Sequence, residues 1–114
     1  MRVLLIGLGG FVGSVLRYWM SGLAQPAAGR TGFPVGTLFV NTLGCLAIGL
    51  LSELAETRGF LTADARALLI VGLLGGFTTF SAFANETVSA LRDGALGLAT
   101  ANVLASVGTC LTGC

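Results

Sequence analysis

Apolar residues run along this chain in four long blocks, and the polar residues collect in the gaps between them. The blocks cover about residues 3–23, 36–54, 65–91 and 95–114. Each is close to the roughly 20 residues that an α-helix needs to cross a bilayer of about 30 Å. The gap at 25–35 holds Pro26, Gly29, Arg30, Gly32 and Pro34, a density of breakers that ends helices. The gap at 52–66 is the most charged stretch, with Glu53, Glu56, Arg58, Asp64 and Arg66. Within it Thr62 is placed to cap the next helix, with Asp64 in the first turn where the helix dipole favours an anion. Arg92-Asp93-Gly94 makes a tight third turn.

The pattern inside the blocks is not uniform. Block one carries Gly9, Gly13 and Arg17 on one helical face, and Gly10 with Ser14 on another. Small residues four apart let helices approach closely. Arg17 has two open readings. Its guanidinium snorkels to an interface beside Tyr18 and Trp19, or it lines a water-filled vestibule that draws anions in. Block two carries a stripe of Thr37, Asn41, Cys45, Ile48 and Ser52. Asn41 is either an interhelical hydrogen bond, worth about 1 kcal/mol, or a donor on a polar path. Block four has a small face of Gly97, Ala101, Ala105 and Gly108, and a polar stripe of Asn102, Ser106, Thr109 and Gly113.

Block three departs furthest from a plain membrane helix. After a purely apolar start come Gly75-Gly76 and Thr78-Thr79, poor material for a helix centre. A helix broken in lipid must find partners for its freed backbone groups in protein, water or ions. Phe80 and Phe83 follow, three apart and so on one face, with Thr79, Glu86 and Thr87 near it.

Composition narrows the class. Of 114 residues, 54% are hydrophobic and 10% charged, against about 25% charged in a soluble domain. This is an all-α integral membrane protein. With a net charge of +1, no strong field gathers nucleic acid. Histidine and lysine are absent, which removes the usual proton shuttle and Schiff-base chemistry, and nothing points to an enzyme. Cys45, Cys110 and Cys114 form no metal-ligand pattern and read as small buried thiols. The opening residues resemble a secretory signal, but the apolar run continues to Leu16 without a cleavage site.

Four spans place both termini and the second loop on one side, with Arg2, Arg58 and Arg66, against Arg30 and Arg92 on the other. Three against two is almost no bias for orientation. Both orientations are therefore expected to insert and to pair as an antiparallel dimer.

An arginine within a span, an asparagine, a break, paired rings and hydroxyls suit an anion. Aromatic rings have a positive edge, and amide and hydroxyl donors can replace part of a hydration shell. At these residues the chain resembles the Fluc/CrcB family of fluoride channels. Gly9-Gly10-Phe11-Val12-Gly13-Ser14-Val15-Leu16-Arg17-Tyr18 looks like its first-span motif. Gly36-Thr37-Leu38-Phe39-Val40-Asn41-Thr42-Leu43-Gly44 resembles the second-span motif. The stretch from Gly72 to Phe83 is similar to the third-span signature, and the three occur in order along the whole chain.

The resemblance implies four transmembrane helices with a broken third helix, in an antiparallel, dual-topology dimer with two fluoride pores. It implies a structural Na⁺, not transported, held at the dimer centre by the backbone carbonyls of Gly75 and Thr78. Phe80 and Phe83 would be the pore phenylalanines, Asn41 a pore donor, and Thr79 and Ser81 pore hydroxyls. Ser106 and Thr109 are the candidates from the fourth span. Arg17 and Glu86 match charged positions at a vestibule. The expected partners are fluoride, Na⁺, the lipid of a prokaryotic cell membrane, and a second copy of the chain or a paired non-identical subunit. The function implied is passive fluoride export that relieves cytoplasmic toxicity. Ala82 and Ala84 depart from positions where relatives often carry hydroxyls. Two other readings compete. A small proton-coupled multidrug exporter needs a first-span carboxylate, and none is present. A non-transporting membrane subunit explains the small faces but not the clustered Phe-Thr-Ser.

Overall fold

The structure is a computed structural model that describes residues 1–59 and 61–114. The described residues are all-α, with four helical stretches long and apolar enough to cross a membrane. Helix α1 spans Arg2–Ala24 and passes into a 3₁₀ turn, Gln25–Ala28. Helix α2 spans Val35–Arg58. The third span opens with α3, Ala63–Arg66, and continues through a π-helical run, Ala67–Leu74, into α4, Gly75–Phe77. Helix α5, Phe80–Arg92, completes it, and α6 covers Leu96–Gly113.

Helix α2 corrects one boundary. Glu53, Glu56 and Arg58, read as loop, belong to its last turns. The charged turns extend the helix without changing its period, and Gly59 stops it in the left-handed region at φ 57°. Thr62 caps α3 as expected, its Oγ1 accepting from Ala65 N–H at 3.1 Å, with Asp64 in the first turn. Arg2 Nε donates to Asp64 Oδ1 at 3.1 Å, an exposed pair that ties the start of α1 to the start of the third span. At the first loop Gln25 Oε1 accepts from Gly36 N–H at 2.9 Å, and its Nε2 donates to the Phe33 carbonyl at 2.8 Å. One side chain thereby fixes where α2 begins.

The first span and the start of the third touch backbone to backbone. A Cβ on Gly9 would meet the Leu68 carbonyl and come within 2.8 Å of Leu73 N. One on Gly13 would meet the Leu73 carbonyl and lie 2.9 Å from Phe77 N. From the other side, a Cβ on Gly76 would lie 2.6 Å from the Gly10 carbonyl. Glycines on both helices therefore set the spacing, as small residues do in membranes. Among the described residues side-chain burial is correspondingly sparse, with Val40 the one large side chain that is fully buried. The remaining apolar surface, including Leu4, Phe11, Leu50 and Leu104, faces outward, where lipid is as favourable as a protein core.

Candidate functional site

The site forms where the chain leaves helical geometry between α4 and α5. Thr78 takes φ −85°, ψ 154° and Thr79 takes φ −150°, ψ 111°, both extended. Two successive extended residues cut the helical hydrogen-bond ladder and free its groups. Most find partners. Thr78 N–H and Thr78 Oγ1 both donate to the Leu74 carbonyl at 3.0 Å. Thr79 Oγ1 accepts from Ala82 N–H at 3.2 Å and so caps α5.

The remaining partner comes from another helix. Asn41 Oδ1 accepts from Thr79 N–H at 2.7 Å, and Asn41 Nδ2 donates to the Thr79 carbonyl at 3.0 Å. One amide side chain thus replaces both ladder bonds of one residue. Asn41 sits on α2 and is 9% exposed, in an environment where an unpaired peptide group costs several kcal/mol. A small neighbour makes room for the approach: a Cβ on Gly44 would strike the Thr78 methyl. Among the described residues, no hydrogen bond is donated to the Gly75 or Thr78 carbonyl.

Two cavities flank the break. The first, about 520 Å³ and mostly apolar, is lined by Asn41, Gly75, Thr78, Phe80, Phe83 and Ser106. The Phe80 and Phe83 rings face it with centroids 5.5 Å apart and planes tilted by 52°. Cys45, Cys110 and Cys114 share its wall. They are free, half-buried or exposed, so the reading of small buried thiols is corrected. Cys45 is far from the other two in sequence, and the α2–α6 packing brings it beside them.

The second cavity, about 540 Å³ and more polar, holds Arg17, Ser81 and Glu86 together with Thr37. Thr79 lines both cavities. Thr37 Oγ1 donates to Glu86 Oε1 at 2.6 Å, whereas Glu86 Oε2 is buried with no partner among the described residues. Thr79 and Ser81 hydroxyls are 3.2 Å apart. Thr109 lies apart from both cavities. Its hydroxyl donates to the Ala105 carbonyl at 2.7 Å and pairs with Thr42 at 2.9 Å, over a separate surface of α2 and α6.

Three participants were visible only by position: Thr37 and Asn102 on polar stripes, and Thr87 near the face of Phe80 and Phe83. Asn102 is 3% exposed, donates from Nδ2 to Thr87 Oγ1 at 2.9 Å, and accepts at Oδ1 from Ser106 Oγ at 3.2 Å. Thr87 Oγ1 in turn donates to the Phe83 carbonyl at 2.8 Å. The one local signal for this network was the four-residue spacing of Thr87 to Phe83 and of Ser106 to Asn102.

These features define a small multi-pass membrane protein whose polar groups gather at one interruption in its third span. Residues 4–114 match the family described as CrcB-like protein, Camphor Resistance (CrcB). The chain is 47% identical over 106 residues to the fluoride-specific ion channel FluC of Methylobacillus flagellatus, covering 93% of this chain and 83% of that one. It is 47% identical over 111 residues to FluC of Geobacter sulfurreducens, covering 97% and 89%. With FluC of Thermus thermophilus the identity is 50% over 98 residues, covering 86% and 77%. The chain belongs to the CrcB family.

Proposed function

We propose that this chain is the subunit of a fluoride-specific channel, not an enzyme, that lets fluoride leave the cell passively through the break-side cavities. The observation that carries the reading is the joint exposure of paired Phe80 and Phe83 rings and neutral donors in one cavity beside the break. The relatives' names support it. Ring edges are positive, and the Asn41 amide and Thr79 hydroxyl lie beside them, so a small anion exchanges water for donors without meeting a fixed countercharge. Asn41 keeps one Nδ2 proton beyond its bond to Thr79, and it lines the same cavity. Arg17 in the adjoining cavity supplies the positive potential that draws an anion in.

The working unit is an antiparallel, dual-topology homodimer in the cell membrane. Almost balanced arginines across the four spans support that assembly, and so does the outward exposure of Phe80 at 78%. In the dimer the broken third spans meet. The Gly75 and Thr78 carbonyls, which accept no hydrogen bond among the described residues, suit a hard cation such as Na⁺, which takes oxygen ligands. When bound, that ion would neutralise carbonyl dipoles at the subunit junction. Phe80, Phe83, Asn41, Thr79, Ser81 and Ser106 serve the anion path, and Arg17 and Glu86 its vestibule.

The test is fluoride efflux from liposomes carrying the purified protein, followed with a fluoride electrode. The parent should release fluoride electrodiffusively. Phe80→Ile and Phe83→Ile should each cut the rate by about a hundredfold or more, the size expected when preorganised stabilisation of a charge is removed. A parent that elutes as an intact dimer yet releases no more fluoride than empty liposomes would sink the reading.

A further inference from the structure

The hydroxyl of Ser106 lines the cavity with Phe80 and Phe83, yet its proton is committed elsewhere, and the geometry forces that commitment. The Phe83 carbonyl can only accept, so Thr87 Oγ1 must spend its one proton there. Thr87 Oγ1 can then take only a donor from Asn102, which turns the Asn102 NH₂ toward α5. That leaves Oδ1 of Asn102 facing Ser106, and an amide oxygen can only accept. Ser106 therefore donates to Asn102 and shows the cavity its lone pairs. A polarised chain runs from Ser106 through Asn102 and Thr87 to the backbone of the residue that carries a cavity ring. Asn102 is 3% exposed and Ser106 7%, so water does not readily redirect the chain.

We infer that Asn102 is a positioning residue that withholds the Ser106 proton from the anion path, and so keeps that path from binding its anion too tightly. A channel must bind well enough to admit an ion and weakly enough to release it. A hydroxyl that presents lone pairs to an anion repels it, and the same hydroxyl reversed attracts it. Fluoride at this level competes with Asn102 Oδ1 for one proton. The inference rests on the fluoride reading of the same cavity.

The experiment measures fluoride efflux against fluoride concentration and separates the half-saturating concentration from the maximal rate. Asn102→Leu keeps the bulk but removes the acceptor, and Ser106 is then free to donate into the cavity. The half-saturating concentration should fall about tenfold, with a lower maximal rate, as expected when an anion gains one charged hydrogen bond. In the Ser106→Ala background, Asn102→Leu should no longer shift it. Thr87→Val removes the group that orients the Asn102 amide, and it should shift the value in the same direction by roughly threefold. If Asn102→Leu does not fold, Thr87→Val with and without Ser106→Ala decides. Half-saturation within twofold of the parent in both variants, or a shift that survives Ser106→Ala, overturns the inference and leaves Asn102 as a packing residue. A parent that carries no fluoride would instead overturn the channel reading itself.

Discussion

The two parts of the third span differ in almost every respect. Residues 67–77 are apolar and touch α1 backbone to backbone through glycine. Residues 80–92 carry Ser81, Glu86 and Thr87, line both cavities and make their contacts with side chains. The first part resembles a structural strut and the second a working surface. Two extended residues, Thr78 and Thr79, separate them, so one span can hold fixed at one end and present polar groups at the other.

The strongest challenge to this contrast is Gly13→Val. Its side chain would run into the Leu73 carbonyl and the Phe77 amide, backbone atoms that no rotamer change can move aside. The expected cost is on the order of 3 kcal/mol. Purified yield and dimer elution should collapse together with flux. A Gly13→Val protein that still assembles normally would show that the strut is less rigid than its contacts indicate.

Asn41→Ala tests the joint between the two parts. It leaves both the N–H and the carbonyl of Thr79 without the partners they now have, at about 1–3 kcal/mol each. Thermal unfolding in detergent should move down by several degrees, and fluoride efflux should fall while dimer elution persists. An unchanged melting temperature with reduced flux would make Asn41 a donor to the anion alone. The smallest effect is expected at Arg2→Ala, which removes an exposed ion pair to Asp64 and costs about 0–1 kcal/mol. Efflux should match the parent, because the pair supports the strut side only.

Much of the strut was legible in the chain. Apolar block length gave the four helical stretches, Gly9 and Gly13 marked the close approach, and Thr62 marked a helix start. The π-helical run at Ala67–Leu74 was not legible, because eight apolar residues offer no local cue to a wider turn. The extension of α2 to Arg58 was not legible either, because a charged stretch reads as loop, whereas the helix runs on until Gly59 caps it. On the working surface, residue types were visible but not their partners. Asn41 and Thr79 are 38 positions apart, and Thr37 and Glu86 are 49 apart. No periodicity reaches across such distances. The direction of the Asn102 chain was further out of reach, since it follows from which atoms can donate and not from residue identity.

The bond from Thr79 N–H to Asn41 has a kinetic consequence. In an unbroken helix a backbone amide exchanges with solvent when the helix frays. The Thr79 amide is closed by a side chain of α2 instead, so its proton is released when α2 parts from the third span. One exchangeable hydrogen therefore clocks the opening of the seam between α2 and the third span, independently of the unwinding of either helix.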